Sequence, residues 1–550
     1  MNDISILIGG KAGDGIKVGG RNIARLLNRW GYQCFVYDDY QSLIRGGHNF
    51  NIIRAAQEKV LAHNEKIDVL VALDQKTLSR HRHQLRQNGV LVYDSDQVEV
   101  ERGLGIPFHS IVKKADSIPA MKSTAVMGAL AKMLGITWAV LEGTLTHIPK
   151  KVELNLKIAR DSFDQTMRSA LTLKRLDREL QPLVTGNEAM ALGAVHAGLK
   201  MYIAYPMTPS SGILHYLAAH EEALGVVTVH PESEIAVAVM ALGAAYAGAR
   251  TMVGTSGGGF ALMTEALSLA GQAEIPVVFV ECQRAGPSTG VPTYSMQGDL
   301  SFILNAGHGD FPRVVLAPGD AEEAFYLTGL ALNLAWQYQI PAFVLSDKHL
   351  SESIFSFAPD ADRPVATKPV IWDEREEYRR YLDTENGISP LAFPGMSDAV
   401  VKATSYEHDE YGLTTEEAEK VARMQHKRVR KGKVIRKGLS RYEQVKVYGY
   451  SDAKTALVCW GSGKGACSEA ASILGLKMVQ PVVLEPFPAE SFRAALSGVE
   501  TVINVEANAT GQFARLLACQ GLPVDHKLLR FDARPFTTDR LVEQIKEVIS

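Results

Sequence analysis

Apolar positions along the chain follow two rhythms: short β-branched runs and longer stretches with helical spacing. Ile4 to Ile8 is a strand-like run, Gly9 to Gly15 a glycine-rich turn, and Ile16 to Trp30 carries a helical period. Further strands are predicted at Asp68–Ala72 and Val90–Tyr93, which makes residues 1–174 an α/β domain. A second α/β domain is predicted over residues 183–353. Its strands include Pro276–Val280, Arg313–Leu316 and Ala342–Leu345, and a long helix spans Ala321–Gln339. Residues 354–449 change character. They hold the acidic run Asp373–Glu377 and a basic run from Lys427 to Lys437, with little sustained apolar period, and are predicted to be a linker with some helix. The runs TALVCW, PVVLEPF and TVINVEAN then read as strands of a small α/β domain over residues 450–550, closed by a helix at Thr538–Ile549.

One internal similarity stands out. Residues 191–200 read ALGAVHAGLK and residues 241–250 read ALGAAYAGAR. Each predicts a small-residue helix, a short strand and then a loop, YPMTPSS (Tyr205–Ser211) in the first case and GTSGGG (Gly254–Gly259) in the second. In a parallel sheet both loops leave the carboxyl ends of their strands, the edge where α/β proteins bind ligands.

Composition narrows the function classes. With 550 residues, 46% hydrophobic and 22% charged, the chain has the apolar content of a globular protein of several domains, not of a disordered one. Its 58 Lys+Arg against 61 Asp+Glu leave a net charge of −3, which argues against a dedicated nucleic-acid binder. The most apolar stretch, Ile235 to Ala249, is too short for a membrane span and reads as a buried helix. No signal peptide is visible, so a cytoplasmic location is expected. The five cysteines are dispersed and form no CxxC pair, so the expectation is free thiols, with no metal or iron–sulfur cluster held by this chain.

Several motifs carry two readings each. GGKAGDG (Gly9–Gly15) follows a strand and opens a helix, and could cradle a phosphate or serve as a tight turn. GSGKG (Gly461–Gly465) lacks the hydroxyl residue of a P-loop and reads as a turn. His81 and His83, which flank Arg82, make a poor metal site. Glu407-His408-Asp409-Glu410 and the basic run read as solvated faces or contacts. Glu234 heads the apolar helix as an N-terminal charge or a functional acid. Arg284 follows the strand Pro276–Val280 and suits a substrate carboxylate or an ion pair. Thr208, between Pro206 and Pro209, is a hydroxyl on a stiff loop.

YPMTPSS, HPESE (His230–Glu234), TSGGG and ECQRAGPSTG resemble the α-subunit of 2-oxoacid:ferredoxin oxidoreductases. The N-terminal segment with YQSLIRGGHN (Tyr40–Asn49) is similar to that family's γ-subunit, fused in front. WGSGKG, EPFP and VEANATGQ look like its transketolase C-terminal-like domain. One departure is Gly258, which stands where the family loop often has proline; a difference in loop stiffness is expected, not a lost function.

The resemblance implies an α/β chain throughout: a Rossmann-like γ domain, a pyrimidine-type thiamine diphosphate domain and a transketolase C-terminal-like domain. Glu234 would hydrogen-bond N1′ of the cofactor's aminopyrimidine, with Pro206, Ser256 and Gly257 also at the cofactor. Thr208 and Arg284 would hold the 2-oxoacid. Arg45, His48 and Asn49 would contact either coenzyme A or the α domain. Magnesium and a [4Fe–4S] cluster would lie on a β-subunit partner, electrons would pass to ferredoxin, and two γα–β pairs would form a dimer, with no nucleic acid or membrane involved. The implied function is a fused γα subunit that oxidatively decarboxylates a 2-oxoacid to acyl-CoA, with 2-oxoglutarate favoured. Pyruvate or a branched-chain 2-oxoacid is the alternative within the family. A non-catalytic assembly subunit, and a nucleotide-dependent ligase or dehydrogenase using the N-terminal glycine turn, are the rivals outside it.

Overall fold

The computed structural model describes residues 3–43, 46–148, 150–167, 171–360, 362–363, 366–374 and 376–549. The chain divides into two compact units. The first comprises the residues up to Thr185, Glu352–Ala358 and the residues from Phe536 onward; the second comprises Gly186–Ser351 and Pro359–Pro535.

In the first unit an eight-stranded sheet has the order Leu104–Ile106, Leu85–Asp94, Ile67–Ala72, Asp3–Ala12, Gly46–Ala56, Gln33–Asp39, Ile354–Ser356 and Leu183–Thr185. The strand Asp3–Ala12 pairs parallel with Ile67–Ala72 and antiparallel with Gly46–Ala56. Ile4, Ile6, Leu7 and Ile8 are all buried, so side chains on both faces of this strand are covered and its sequence is continuously apolar rather than alternating. The strand continues through Gly9 and Gly10, so the turn is shorter than the glycine pattern suggests. Gly15, at φ 79°, caps the helix Ile16–Arg29, and a side chain there would strike the Ala120 carbonyl. Asp14 is buried and lies 3.3 Å from the Lys122 ammonium. The GDG segment is thus a tight strand-to-helix turn with its acid paired inside the chain.

Two expectations change here. Residues 354–356 begin no linker: they form a strand of this first sheet, antiparallel to Gln33–Asp39. The helix Thr538–Ile549 closes this unit, not the C-terminal domain. The Asp539 carboxylate accepts from the Glu65 and Lys66 N–H groups at 2.9 Å each, and Leu541 and Ile545 are buried.

The second unit is built on a seven-stranded sheet of order Val483–Glu485, Val314–Leu316, Pro341–Asp347, Val277–Gln283, Thr251–Thr255, Met201–Ile203 and Val227–Val229. All neighbours pair parallel except the edge strand Val483–Glu485, which is antiparallel. The repeat in the sequence is a repeat in space. Thr251 pairs with Met201, Met252 with Tyr202 and Val253 with Ile203, an offset of 50 that matches the spacing of the two similar helices. A five-stranded sheet follows, in the order Val445–Gly449, Lys477–Pro481, Thr455–Val458, Thr501–Glu506 and His526–Leu529. Val445–Gly449 is already a strand of it, so this sheet begins before residue 450. PVVLEPF divides: Pro481 ends a strand of the smaller sheet, whereas Val483–Glu485 joins the larger one.

The basic run is not a solvated face. It lies on the helix Ala418–Leu439, where Lys427 and Lys431 are buried on Glu274. The Lys427 ammonium donates to Glu274 Oε1 at 2.7 Å, and Lys431 donates to Oε2. Glu407-His408-Asp409-Glu410 is likewise held inside the chain. Glu407 pairs with Arg428, Glu410 with Arg379 and Arg423, and the buried His408 ring lies 3.7 Å from that of Tyr381. In the GSGKG turn, the Lys464 ammonium is spent on Asp320 and Glu323, 2.6 Å from each, so it is not available to a phosphate. Among the described residues no helix is long and apolar enough to cross a membrane.

Candidate active site

The parallel strands of the second unit send their carboxyl ends to one edge, and the singled-out motifs are the loops that leave it. YPMTPSS follows Met201–Ile203, HPESE follows Val227–Val229, TSGGG follows Thr251–Thr255, and Arg284 comes directly after Val277–Gln283.

Glu234 is the first residue of the helix Glu234–Tyr246, where the macrodipole favours a negative charge. The Ser233 hydroxyl caps that helix by accepting from the Ala236 N–H at 3.4 Å. Glu234 is only 5% exposed, and its Oε1 has no hydrogen-bond partner among the described residues. A buried, unpartnered carboxylate oxygen is costly and calls for a donor from elsewhere. Ser256, ahead of the helix Gly257–Gln272, is fully buried, and its Oγ is equally unpartnered.

The glycines after Ser256 differ in what surrounds them. At Gly259 a Cβ would lie 2.2 Å from Thr255 Oγ1 and 2.8 Å from Glu234 Oε1, so only glycine leaves the Glu234 carboxylate in place. At Gly257 a Cβ would meet Asp299 Oδ2 at 2.5 Å. At Gly258, the position that departs from the family pattern, the nearest atom is the Ser288 carbonyl at 4.0 Å. G259A is therefore expected to displace Glu234 and cost activity. G258A should be tolerated and, by restricting the unfolded chain, should stabilise by about 0.4–1 kcal/mol. Thermal melts and turnover of the two variants check this pair.

The Arg284 guanidinium donates through Nη1 to the Thr208 carbonyl at 3.0 Å, which ties two of the predicted substrate residues together. Burial lowers the Arg284 pKa, against the opposing charges of Asp299, Glu234 and Glu281. Pro206 is exposed on the Thr208 loop, next to Tyr205, whose ring makes an edge contact with His230 at 5.8 Å.

The Tyr40–Asn49 motif belongs to the first unit. His48 is buried, with Nε2 2.7 Å from His81 Nε2, and burial together with the His81 charge pulls its pKa down to about 4. The Asn49 side-chain Oδ1 accepts from the Gln41 N–H at 3.2 Å. Arg45 lies outside the described residues. Among the described residues no group of three or more metal-ligating side chains gathers, and Cys34, Cys282, Cys459, Cys467 and Cys519 form no disulfide.

Three acids at the edge escaped the sequence reading: Glu281, Asp299 and Asp347, all largely buried. Glu281 did carry a signal, as the lone charge in the apolar strand VVFVECQ. Asp347 carried the same signal, as the lone charge in the apolar strand PAFVLSD, whereas Asp299, ahead of the short helix Leu300–Asn305, carried none.

The strand edge, the glycine turn and the buried acid define the kind of site a thiamine-dependent α/β enzyme builds. Residues 192–427 match the thiamine diphosphate-binding family of pyruvate flavodoxin/ferredoxin oxidoreductases, and residues 5–165 match the pyruvate ferredoxin/flavodoxin oxidoreductase family. The chain is 32% identical to the 2-oxoacid:ferredoxin oxidoreductase subunit alpha of Saccharolobus solfataricus, over 99% of this chain and 98% of that one. It is 41% identical to the 2-oxoglutarate synthase subunit KorA of Archaeoglobus fulgidus, over 38% of this chain and 61% of that one. The solved 2-oxoglutarate:ferredoxin oxidoreductase from Magnetococcus marinus, with 2-oxoglutarate, coenzyme A and succinyl-CoA bound, is 30% identical and superimposes with a TM-score of 0.91, covering 100% of both chains. The chain belongs to the 2-oxoacid:ferredoxin oxidoreductase family, as an α-subunit-like member.

Proposed function

We propose that this chain is the fused γα subunit of a coenzyme A-dependent enzyme that oxidatively decarboxylates 2-oxoglutarate and passes electrons to ferredoxin. The observation that carries the reading is the unpartnered Oε1 of buried Glu234, set beside the glycine turn and within electrostatic reach of Arg284. The empty hydrogen-bonding capacity of Glu234 and Ser256, and the bare backbone at Gly257–Gly259, fit an aminopyrimidine ring. Thiamine diphosphate, when bound, supplies the carbanion chemistry at the keto carbon. Glu234 would hold a proton at N1′ of that ring, in a site that excludes water. Arg284 keeps most of its fork free after donating to the Thr208 carbonyl, and that fork would grip the 2-oxoacid carboxylate while Thr208 orients the carbonyl. Pro206 and Gly257 would shape the walls, and Arg45, His48 and Asn49 are candidates for contact with coenzyme A or the α domain.

A β-subunit carrying magnesium and the [4Fe–4S] cluster would complete the site. The outer face of the Glu234 helix supports this. Ile235, Val239 and Met240 are 55%, 49% and 43% exposed, and Leu262 on the next helix is 51% exposed. An apolar row beside a half-built site suits a partner's surface. Val239→Asp should leave the chain folded, because the side chain is exposed, yet prevent the partner from co-purifying.

For the substrate, the relatives named for 2-oxoglutarate support that acid over pyruvate. A panel of 2-oxoacids assayed with coenzyme A and ferredoxin tests it. The expected result is a kcat/KM for 2-oxoglutarate above that for pyruvate by about 10²-fold. Equal turnover of pyruvate or a branched-chain acid would overturn the assignment.

A further inference from the structure

In the second unit the helix Ala418–Leu439, the loop over residues 305–313 and the pair Glu485 and Pro486 border a groove of about 560 Å³, a volume in the range of small-molecule sites. Lys427 and Lys431 turn from this helix to Glu274, whereas Arg428, Gly432, Lys433 and Arg436 line the groove from a neighbouring face. Arg428 is spent on Glu407. Arg313 and Arg436 each spend one Nη1 on a main-chain carbonyl, that of Ile303 and that of Phe487, at 3.0 Å each. Those bonds fix the two guanidinium groups and leave the rest of each fork open. Lys433 is exposed and has no carboxylate partner among the described residues.

Gly432 keeps the space open. It stands inside the helix, one turn from Arg428 and one turn from Arg436, where glycine is among the poorest helix formers. Packing does not demand it: an added Cβ would meet only Pro312 Cβ, at 3.8 Å, an ordinary contact. The walls also select the ligand. Two fixed guanidinium groups and an ammonium suit the oxygens of a phosphate, which an arginine fork takes two at a time. Glu485 lines the same groove with its carboxylate unpaired among the described residues, so it accepts from hydroxyl groups and repels a second anion. Asp310, the other acid of the lining, is exposed, and solvent screens it. Phe311 is the aromatic ring of the lining, and it is already covered. The Arg313 guanidinium lies 4.7 Å from its centroid, and Gly271 and Gly307 pack against it, so it offers no open face to a nucleobase.

We propose that this groove binds a small phosphorylated sugar or polyol, with the phosphate held by Arg313, Arg436 and Lys433 and the hydroxyls by Glu485. The inference does not depend on the reading of the Glu234 site.

The test is calorimetric titration of the assembled complex with ribose 5-phosphate, glucose 6-phosphate and glycerol 3-phosphate, against ribose and inorganic phosphate. At least one of the three esters should bind, with a Kd that rises as sodium chloride is added, because the contact is ionic. Ribose should not bind. Inorganic phosphate should bind about tenfold or more weakly than that ester, since it lacks the hydroxyls that Glu485 accepts from. Two variants place the ligand. G432L fills the groove without changing a charge and puts a better helix former in the helix. K433E reverses an exposed charge. A thermal melt should show both folded, and each should raise the Kd of the ester about tenfold or more. If none of the three esters binds at about 1 mM, or if G432L and K433E leave the Kd unchanged, the proposal is overturned. Inorganic phosphate binding as tightly as the esters would overturn the sugar class.

Discussion

Replacing Glu234 with glutamine should lower kcat by about 10²–10⁴-fold, the range for losing a positioned proton-handling group, while the chain still folds and still assembles. The size follows from where the residue sits. Its Oε1 is buried with no internal partner, so the fold gains nothing from the charge that an amide of the same shape would not also supply. The Ser233 cap on the Ala236 N–H remains, and so does the packing against Gly259. Stability should therefore move little. A steady-state assay with 2-oxoglutarate, coenzyme A and ferredoxin, next to a thermal melt, reads both quantities. The same variant decides against the rival of a non-catalytic assembly subunit, for which E234Q would leave the host complex's turnover unchanged.

Glu274→Gln should have the largest effect on stability. Glu274 is buried at the end of the helix Gly257–Gln272 and takes ammonium groups from Lys427 and Lys431, while Arg380 donates to the Ala273 and Glu274 carbonyls. Burial alone would raise its pKa, but the two lysines more than offset that and hold it below the ordinary carboxylate range. Removing the anion leaves two buried ammonium groups uncompensated beside Arg380, at a cost of about 3–5 kcal/mol. Lys431, already pulled down to about 8 by burial, should then shed its proton. Because a chain of two units need not melt in one step, the readout is the midpoint of the second unit's transition. The pH dependence has a definite sign. Since the folded pKa of Glu274 is depressed, its contribution is present above about pH 4.3 and is lost as the pH falls below that value, and E274Q should lack this acid limb. Replacing Glu274, Lys427 and Lys431 together with methionine should recover much of the loss, since neither ammonium group is then left without its carboxylate.

The parts of the fold legible from sequence were those in which each residue's neighbours lie nearby in the chain. The strand Ile4–Ile8, its turn and the following helix are one local unit, and the helix-strand repeat at 191–200 and 241–250 turned out to be two parallel neighbours in register. The loops carrying Thr208, Glu234, Ser256 and Arg284 could be placed on one sheet edge because each follows a strand. What stayed hidden depended on distant partners. Lys427 and Lys431 look like a solvated face until Glu274, 153 residues away from Lys427, is set beneath them. The helix Thr538–Ile549 has an ordinary amphipathic pattern that does not say which unit its buried stripe faces. The strand Val483–Glu485 leaves the small sheet for the large one, a choice its apolar text cannot express. Asp299 joins the edge only across a loop that brings its N–H back to Gln283 Oε1 at the end of the strand.

The central claim is that this chain holds half of a thiamine diphosphate site, headed by Glu234. Its most direct test is native mass spectrometry, with metal analysis, of the chain isolated anaerobically from its own host. The expected result is recovery with a smaller, cysteine-rich subunit, iron and thiamine diphosphate in one assembly, and loss of that subunit from the Val239→Asp variant. Recovery of the chain alone, with neither thiamine diphosphate nor iron, would contradict it.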